Sequence, residues 1–105
     1  MKKSEIVKKL KEVRALLTPR KNWTQKAWGR DTNGASVINI QRDKAVCYCL
    51  VGACYKATEN DEDAFVLEKK LNSVLPKGFV SAIAYNDNRS HRSVLKLIDK
   101  AIAAK

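Results

Sequence analysis

A cluster of polar residues in the last quarter of the sequence is the first candidate for chemistry. Asn86, Asp87 and His91, which is the single histidine of the chain, lie close together, with Arg30 and Asp31 as candidate neighbours. In a polar pocket His91 could donate or accept a proton while Asp87 orients it, or the start of the final helix could bind an anion. Asn and Asp before a helix also cap backbone amides, and we favour that structural explanation. The candidate polar site comprises Asp31, Asn86, Asp87 and His91.

The cysteines form the one constellation that could support covalent catalysis. It consists of Cys47 or Cys49 as nucleophile, His91 as base, and Asp87 or Asn86 as orienting group. The cysteines lie in an apolar run, where burial raises the thiol pKa, so we expect reduced, unreactive core residues. Their spacing, C-x-C-x4-C, lacks the paired knuckles of common zinc sites. We therefore predict no catalytic residue, no metal and no cofactor, and we lean towards a protein that is not an enzyme.

Positive charge is the most pronounced feature of the composition. The 105 residues include 21 Lys and Arg against 11 Asp and Glu, which gives a net charge of +10. The charge is +8 on residues 1–30, −2 on residues 31–75 and +4 on residues 76–105. Such a surface attracts polyanions by steering and counterion release, although it could equally serve solubility alone. The expected partner is nucleic acid or an acidic protein surface.

Basic residues near the two tryptophans define the candidate binding surface. Their cations could hold phosphates while an indole stacks on a base. The candidate residues are Lys8, Lys11, Arg14, Lys26, Arg30, Trp23 and Trp28. The alternative, which we favour for the indoles, is that both tryptophans anchor an irregular segment to the body of the protein.

The composition is typical of one globular domain. The hydrophobic fraction is 45% and the charged fraction is 30%, and a chain of 105 residues suits a single core. No apolar stretch approaches the roughly 18 residues that suggest a membrane helix, and the basic start leads into an amphipathic segment rather than a signal core. We predict a single domain over residues 1–105 that is cytoplasmic and has no membrane partner, and the oligomeric state stays open.

Helical periodicity is clearest towards the two ends of the sequence. Apolar residues recur at steps of three and four from Ser4 to Leu17, and Ser4 is the expected N-cap. A second stripe runs from Val94 to Ile102, with Asn88 or Ser90 as its expected cap. These patterns predict two amphipathic helices with basic outer positions.

The segment from Arg20 to Ile40 has no helical period. Its Asn33-Gly34 pair favours a tight turn between residues 28–31 and 35–38, which predicts a short β-hairpin. Two strands alone are marginal in water, so we expect this arm to lie on the helices.

The middle of the chain predicts the centre of the core. Asp43 is the expected cap of an almost wholly apolar helix from Lys44 to Ala57, in which Gly52 implies a closely packed neighbour. Another helix should run from Asn60 towards Pro76. Residues 79–85 fit a strand or a helix, and residues 86–90 read as a turn. The predicted fold is mainly α, a compact bundle of four to five helices with one short β-hairpin.

Three motifs resemble a small uncharacterised domain family of bacterial and phage proteins. They are Trp23-Thr24-x-x-Ala27-Trp28-x-Arg30-Asp31-x-x-Gly34, then Cys49-Leu50-x-Gly52-Ala53, then Ile83-Ala84-x-Asn86-Asp87 followed by His91, Val94 and Leu95. The resemblance spans nearly the whole chain after the first helix. That family has no assigned activity, so the resemblance implies a compact intracellular domain and no particular reaction. It directs attention to Trp23, Arg30, Asp31, Asn86, Asp87 and His91.

These observations lead to competing hypotheses of function. The first is a small, non-enzymatic, phage-related binding protein whose basic surface binds nucleic acid or an acidic protein partner. The alternative is a small hydrolase or transferase with a polar site around His91 and Asp87. A third is a structural accessory protein without a separate ligand site.

Overall fold

Five α-helices and a small sheet make up the part of the chain that the computed structural model describes, residues 1–104 without the side chains of residues 39 and 40. The helices are α1 (Lys3–Leu17), α2 (Leu50–Ala57), α3 (Asp61–Asn72), α4 (Ala82–Asn88) and α5 (His91–Ala103). The strands are β1 (Gly29–Arg30), β2 (Ser36–Val37) and β3 (Cys47–Tyr48), and 3₁₀ turns span Arg20–Asn22 and Asn39–Lys44. The prediction of a mainly α bundle with a short hairpin is confirmed.

The two amphipathic helices lie close to their predicted positions. α1 begins one residue before Ser4 and its N-cap, Lys2, makes no side-chain capping bond, but the helix ends at Leu17 as expected. α5 is capped by Ser90, whose hydroxyl accepts a hydrogen bond from the Ser93 amide at 3.1 Å. The two helices pack on each other and bury their apolar stripes in one shared core.

The predicted hairpin forms around Asn33-Gly34. β1 and β2 pair antiparallel, with Gly29 opposite Val37 and Arg30 opposite Ser36. Gly34 has a φ of +81°, which a residue with a side chain rarely adopts. The turn therefore depends on glycine at this position.

The helix predicted from Lys44 to Ala57 is wrong in its first half. Cys47 and Tyr48 form β3, which pairs antiparallel with the second edge of β1 and gives the sheet order β2-β1-β3. The helix begins only at Leu50, with Cys49 rather than Asp43 as its N-cap. An apolar run suits a buried strand as well as a helix. Here the Val46 and Cys49 amides donate to the carbonyls of Arg30 and Trp28, and the Tyr48 carbonyl accepts a hydrogen bond from the Thr24 amide.

α2 is the centre of the core. Its residues from Leu50 to Cys54 are buried, and it packs against α1, α3 and α4. A side chain at Gly52 would overlap the carbonyl oxygen of Trp28, which confirms the predicted close neighbour. The segment before β1 therefore lies directly on the first turn of this helix.

The carboxyl-terminal half contains a further correction. Ser81 caps α4 by accepting a hydrogen bond from the Ala84 amide at 3.1 Å. The helix continues through Asn88, so Asn86 and Asp87 lie within a helix and not in the predicted turn, and neither caps α5. α3 also ends at Asn72, before Pro76. In the described residues, no helix has both the length and the apolar character to cross a membrane.

Candidate functional site

The buried side chain of Asn86 is the centre of a polar network. Its amide oxygen accepts hydrogen bonds from the Trp23 indole nitrogen at 2.7 Å and from the Leu50 backbone amide at 3.1 Å. Its amide nitrogen donates to the Thr24 carbonyl at 3.1 Å and to the Asp87 carboxylate at 3.2 Å. An amide side chain offers two donors and an acceptor with two lone pairs, so this one has used its full bonding capacity inside the protein.

The docking loop, residues 23–26, is held on α4 by further hydrogen bonds. The Asp87 carboxylate accepts from the Lys26 backbone amide at 2.8 Å. Lys26 has a φ of +63°, a conformation that costs free energy for a residue other than glycine, and the bond to Asp87 helps to offset it. The Gln25 side chain donates to the carbonyls of Asn86 at 3.0 Å and Arg89 at 2.9 Å, at the end of α4.

Arg30 and Asp31 organise the hairpin. The Arg30 guanidinium donates to the Thr24 hydroxyl at 2.9 Å and to the carbonyls of Gln25 and Gly34 at 3.1 and 3.2 Å. Asp31 accepts from the backbone amides of Asn33 and Ala35 within the turn. Arg30 thus ties the hairpin to the docking loop, whereas the hydrogen bonds of Asp31 stay within its own turn.

His91 lies next to this network, in contact with Trp23. Its Nε2 is 2.6 Å from the Leu17 carbonyl oxygen, and because a carbonyl can only accept, this nitrogen carries the proton. The imidazole packs on the Trp23 indole with ring centroids 5.3 Å apart. The structure therefore brings Trp23, Asn86, Asp87 and His91 together, with Arg30 one hydrogen bond further away.

Trp28 differs from Trp23 in its polar contacts. Its ring lies edge-on to Tyr48 and Tyr55, with centroids 5.9 and 6.4 Å away. Its indole nitrogen is buried and has no hydrogen-bond partner among the described residues. Both indoles pack between the arm and the helical core, as expected for anchors.

A surface cavity of about 280 Å³ adjoins the network. It lies between the docking loop, the start of α2 and one side of α4, and most of its lining is apolar. The lining residues are Lys26, Ala27, Trp28, Cys49, Val51, Ile83 and Asp87. His91 is not among them, so the cavity does not join a thiol to the imidazole.

The two buried thiols, Cys49 at this cavity and Cys54 in the core, are poorly suited to nucleophilic attack. Cys49 accepts a hydrogen bond from the Gly52 amide at 3.2 Å, yet burial raises its thiol pKa above the ordinary value. Burial raises the pKa of Cys54 further, helped by the nearby Cys49 and Glu68. A raised pKa leaves little thiolate at neutral pH, and the thiolate is the nucleophile.

The basic candidates fall into two groups. Lys8 and Lys11 are exposed on one face of α1, along a shallow groove of about 420 Å³ that also includes Ser4, Val7, Glu12 and Ala15. Lys26 is also exposed. Arg14 instead pairs with Asp99 of α5 at 3.0 Å, and Arg30 is engaged in the hairpin.

The sequence analysis placed Thr24 in a motif without giving it a role, and it did not single out Gln25. Both side chains contribute to the docking of the arm, Thr24 by accepting from Arg30 and Gln25 by donating to the end of α4. The available signal was their position between Trp23 and Arg30 in a segment without periodicity, where polar side chains must satisfy irregular backbone. The hydrogen bonds of Gln25 could not be read from the sequence, because its two carbonyl acceptors lie more than sixty residues away.

Within the described residues, no group of three or more His, Cys, Asp or Glu side chains is placed to hold a metal ion.

Comparison with known proteins identifies a family but no activity. No curated protein and no solved structure matches the chain. One family model does match, over residues 1–104, and the chain belongs to that family, DUF6197, a family of unknown function.

Proposed function

We propose that this protein is a non-enzymatic nucleic-acid-binding protein that uses the basic face of α1. The observation that supports it is the exposure of Lys8 and Lys11 side by side on that helix, within the segment of highest charge. Lysines at positions i and i+3 of a helix project from the same face and can contact successive phosphates.

The charge balance supports the same surface. Residues 1–30 carry a net charge of +8. Ion pairs among the described residues join Lys9 to Glu12, Arg14 to Asp99 and Arg42 to Asp61, so the positive charge of Lys8 and Lys11 is not neutralised by a bonded carboxylate. Phosphates of a nucleic acid would supply that counter-charge and release their condensed cations.

Nucleic acid fits this surface better than an acidic protein. Tight protein partners usually bury a compact apolar centre, whereas the large exposed apolar side chains here are scattered over separate elements. They are Met1, Ile38, Val46, Phe65, Val80 and Ile83. The indole nitrogen of Trp23 is bonded to Asn86 and that of Trp28 is buried, so we assign binding to the cations and expect little sequence preference.

The test is fluorescence anisotropy with a labelled duplex of about 20 base pairs at about 50 and 200 mM salt. A labelled oligonucleotide is preferable to intrinsic fluorescence because both indoles pack against the core of the protein. We expect saturable binding that weakens steeply with salt. In Lys8→Gln/Lys11→Gln, affinity should fall about tenfold and the slope of log K against log salt should become shallower by about 2.

The matched control is Lys44→Gln/Lys56→Gln, which removes the same charge from two exposed positions of the slightly acidic middle segment. We expect this variant to retain nearly the affinity of the parent protein. Equal losses in the two variants, or binding that ignores salt, would contradict the proposal. Tighter binding to poly-glutamate than to the duplex would assign the surface to an acidic protein instead.

A further inference from the structure

A second basic surface lies along α5. It is a cavity of about 260 Å³ between the α3–α4 connection, the end of α4 and one side of α5. Its lining combines three cations with apolar and aromatic side chains and includes no carboxylate. The lining residues are Val74, Pro76, Tyr85, Arg89, Lys96, Leu97 and Lys100.

Arg89 is held in place by aromatic rings. Its guanidinium carbon lies 5.3 Å from the centre of the Tyr85 ring and 5.9 Å from the centre of the Phe79 ring. Those two rings pack edge to face with centroids 4.9 Å apart, and Arg89 also donates to the Ser93 hydroxyl at 3.4 Å. A guanidinium positioned in this way loses less conformational freedom when it binds an oxyanion.

Lys96 and Lys100 complete the positive side of the cavity. They are four residues apart on α5, so they project from the same face, and both are exposed. The ion pairs among the described residues involve other cations. Like charges that line one cavity repel each other, and a bound anion would relieve that repulsion.

We propose that this cavity binds the phosphate group of a small phosphorylated organic molecule. The planar guanidinium of Arg89 would take two phosphate oxygens, and the ammonium groups of Lys96 and Lys100 would neutralise the remaining charge. The carbon framework of the ligand would lie against Val74, Pro76 and Leu97. The volume of about 260 Å³ lies just below the usual range for small-molecule sites, which is why the expected ligand is small.

This site is independent of the face of α1 proposed to bind nucleic acid, because the two surfaces share no lining residue. Two double variants therefore separate this proposal from the proposal of nucleic-acid binding. Lys96→Gln/Lys100→Gln should impair phosphate binding, and Lys8→Gln/Lys11→Gln, which removes the same charge, should leave it intact.

The experiment is an NMR titration of the full-length, isotope-labelled protein with ribose 5-phosphate, with uncharged ribose as the control ligand. We expect saturable shifts of backbone amides around Arg89, Lys96 and Lys100, with millimolar or tighter affinity. The Lys96→Gln/Lys100→Gln variant should lose about tenfold or more in affinity, because each lost contact is charge-assisted. Arg89→Lys keeps the charge but loses the planar fork, so it should also weaken binding.

Three results would overturn the proposal. One is the absence of localised shifts up to about 20 mM ribose 5-phosphate, well beyond millimolar affinity. Another is an equal loss of affinity in Lys8→Gln/Lys11→Gln, which would mean that only the overall charge attracts the anion. The third is an equal response to ribose, which would show that the phosphate contributes nothing. The amide spectrum of each variant verifies that it is folded.

Discussion

Asn86 shows how one buried side chain can hold an irregular segment on a helical core. Its amide joins the docking loop to the first residue of α2 and is itself part of α4. Attachment of the arm to the core therefore explains why Asn86 and Asp87 occur together with the Trp23 motif. This explanation requires no ligand, and the site hypothesis for Asp31, Asn86, Asp87 and His91 stays a prediction.

The first prediction concerns this amide. We expect Asn86→Ala to lower the free energy of unfolding by about 3 kcal/mol, because it leaves the Trp23 indole nitrogen, the Leu50 amide and the Thr24 carbonyl without their partner. Urea unfolding followed by circular dichroism measures the change.

Asn88→Ala is the control, since the Asn88 side chain is exposed and makes one hydrogen bond to the Ala84 carbonyl. It should cost less than about 1 kcal/mol. A similar cost for both substitutions would show that the buried network contributes little to stability.

At the scale of elements, the arm and α2 approach each other most closely at Gly52, where a side chain would have less room than at any other glycine. The carbonyl oxygen of Trp28 accepts a hydrogen bond from the Cys49 amide at 3.0 Å. The same oxygen occupies the space that a Cβ atom at position 52 would need. The neighbouring Gly29 is similarly restricted, because a side chain there would lie 2.7 Å from the Cys47 carbonyl oxygen. Both glycines are needed for close approach of backbone to backbone.

We therefore expect Gly52→Ala to destabilise the protein by about 2 kcal/mol, although alanine favours an isolated helix by about 1 kcal/mol. The overlap is with a backbone carbonyl, which cannot move aside as a flexible side chain can. Thermal and urea unfolding measure the effect. Lys56→Ala, at an exposed position of the same helix, should change stability by less than about 0.5 kcal/mol, and a stabilised Gly52→Ala variant would refute the packing argument.

Elements with a long apolar stripe were predictable from the sequence, and those set by distant contacts were not. α1 and α5 follow the periodicity closely, and the Asn33-Gly34 turn forms because its conformational demand is local. The helix prediction for residues 44–48 was wrong because the apolar run has no period. Pairing with β1 determined the conformation of this segment instead. The site residues could be named, but the hydrogen bonds that join Asn86 to the docking loop span more than sixty positions and became visible only in the structure.

At the scale of the whole molecule, the charged side chains lie at the surface and the core is apolar. The net charge of +10 lies at the surface, and two cysteine thiols lie inside. The surface charge favours anionic partners and carries a cost in self-repulsion. The buried thiols make stability depend on pH, since they must remain protonated in the native state.

Alkaline pH should therefore destabilise the protein. Burial raises the pKa of Cys49 and Cys54 in the folded state, whereas the same thiols titrate near pH 8.5 when the chain unfolds. Above that pH the unfolded chain binds fewer protons than the native protein, so the free energy of unfolding decreases as pH rises. The decrease should approach about 1.4 kcal/mol per pH unit for each thiol. Urea unfolding in the presence of reductant between about pH 7.5 and 10 measures this slope.

Two variants test whether the thiols cause the dependence of the free energy of unfolding on pH. Cys54→Ala should be less stable than the parent protein at every pH, because it leaves a small void at a fully buried position, but its stability should depend less on pH. Val94→Ala, which also removes buried atoms but no titrating group, should lose stability and retain the parent slope. If Cys54→Ala kept the full parent slope, the alkaline loss would have to come from other groups. Tyr48 and Tyr55 are the next to test, because burial raises the pKa of both phenols and their contribution has the same sign at higher pH.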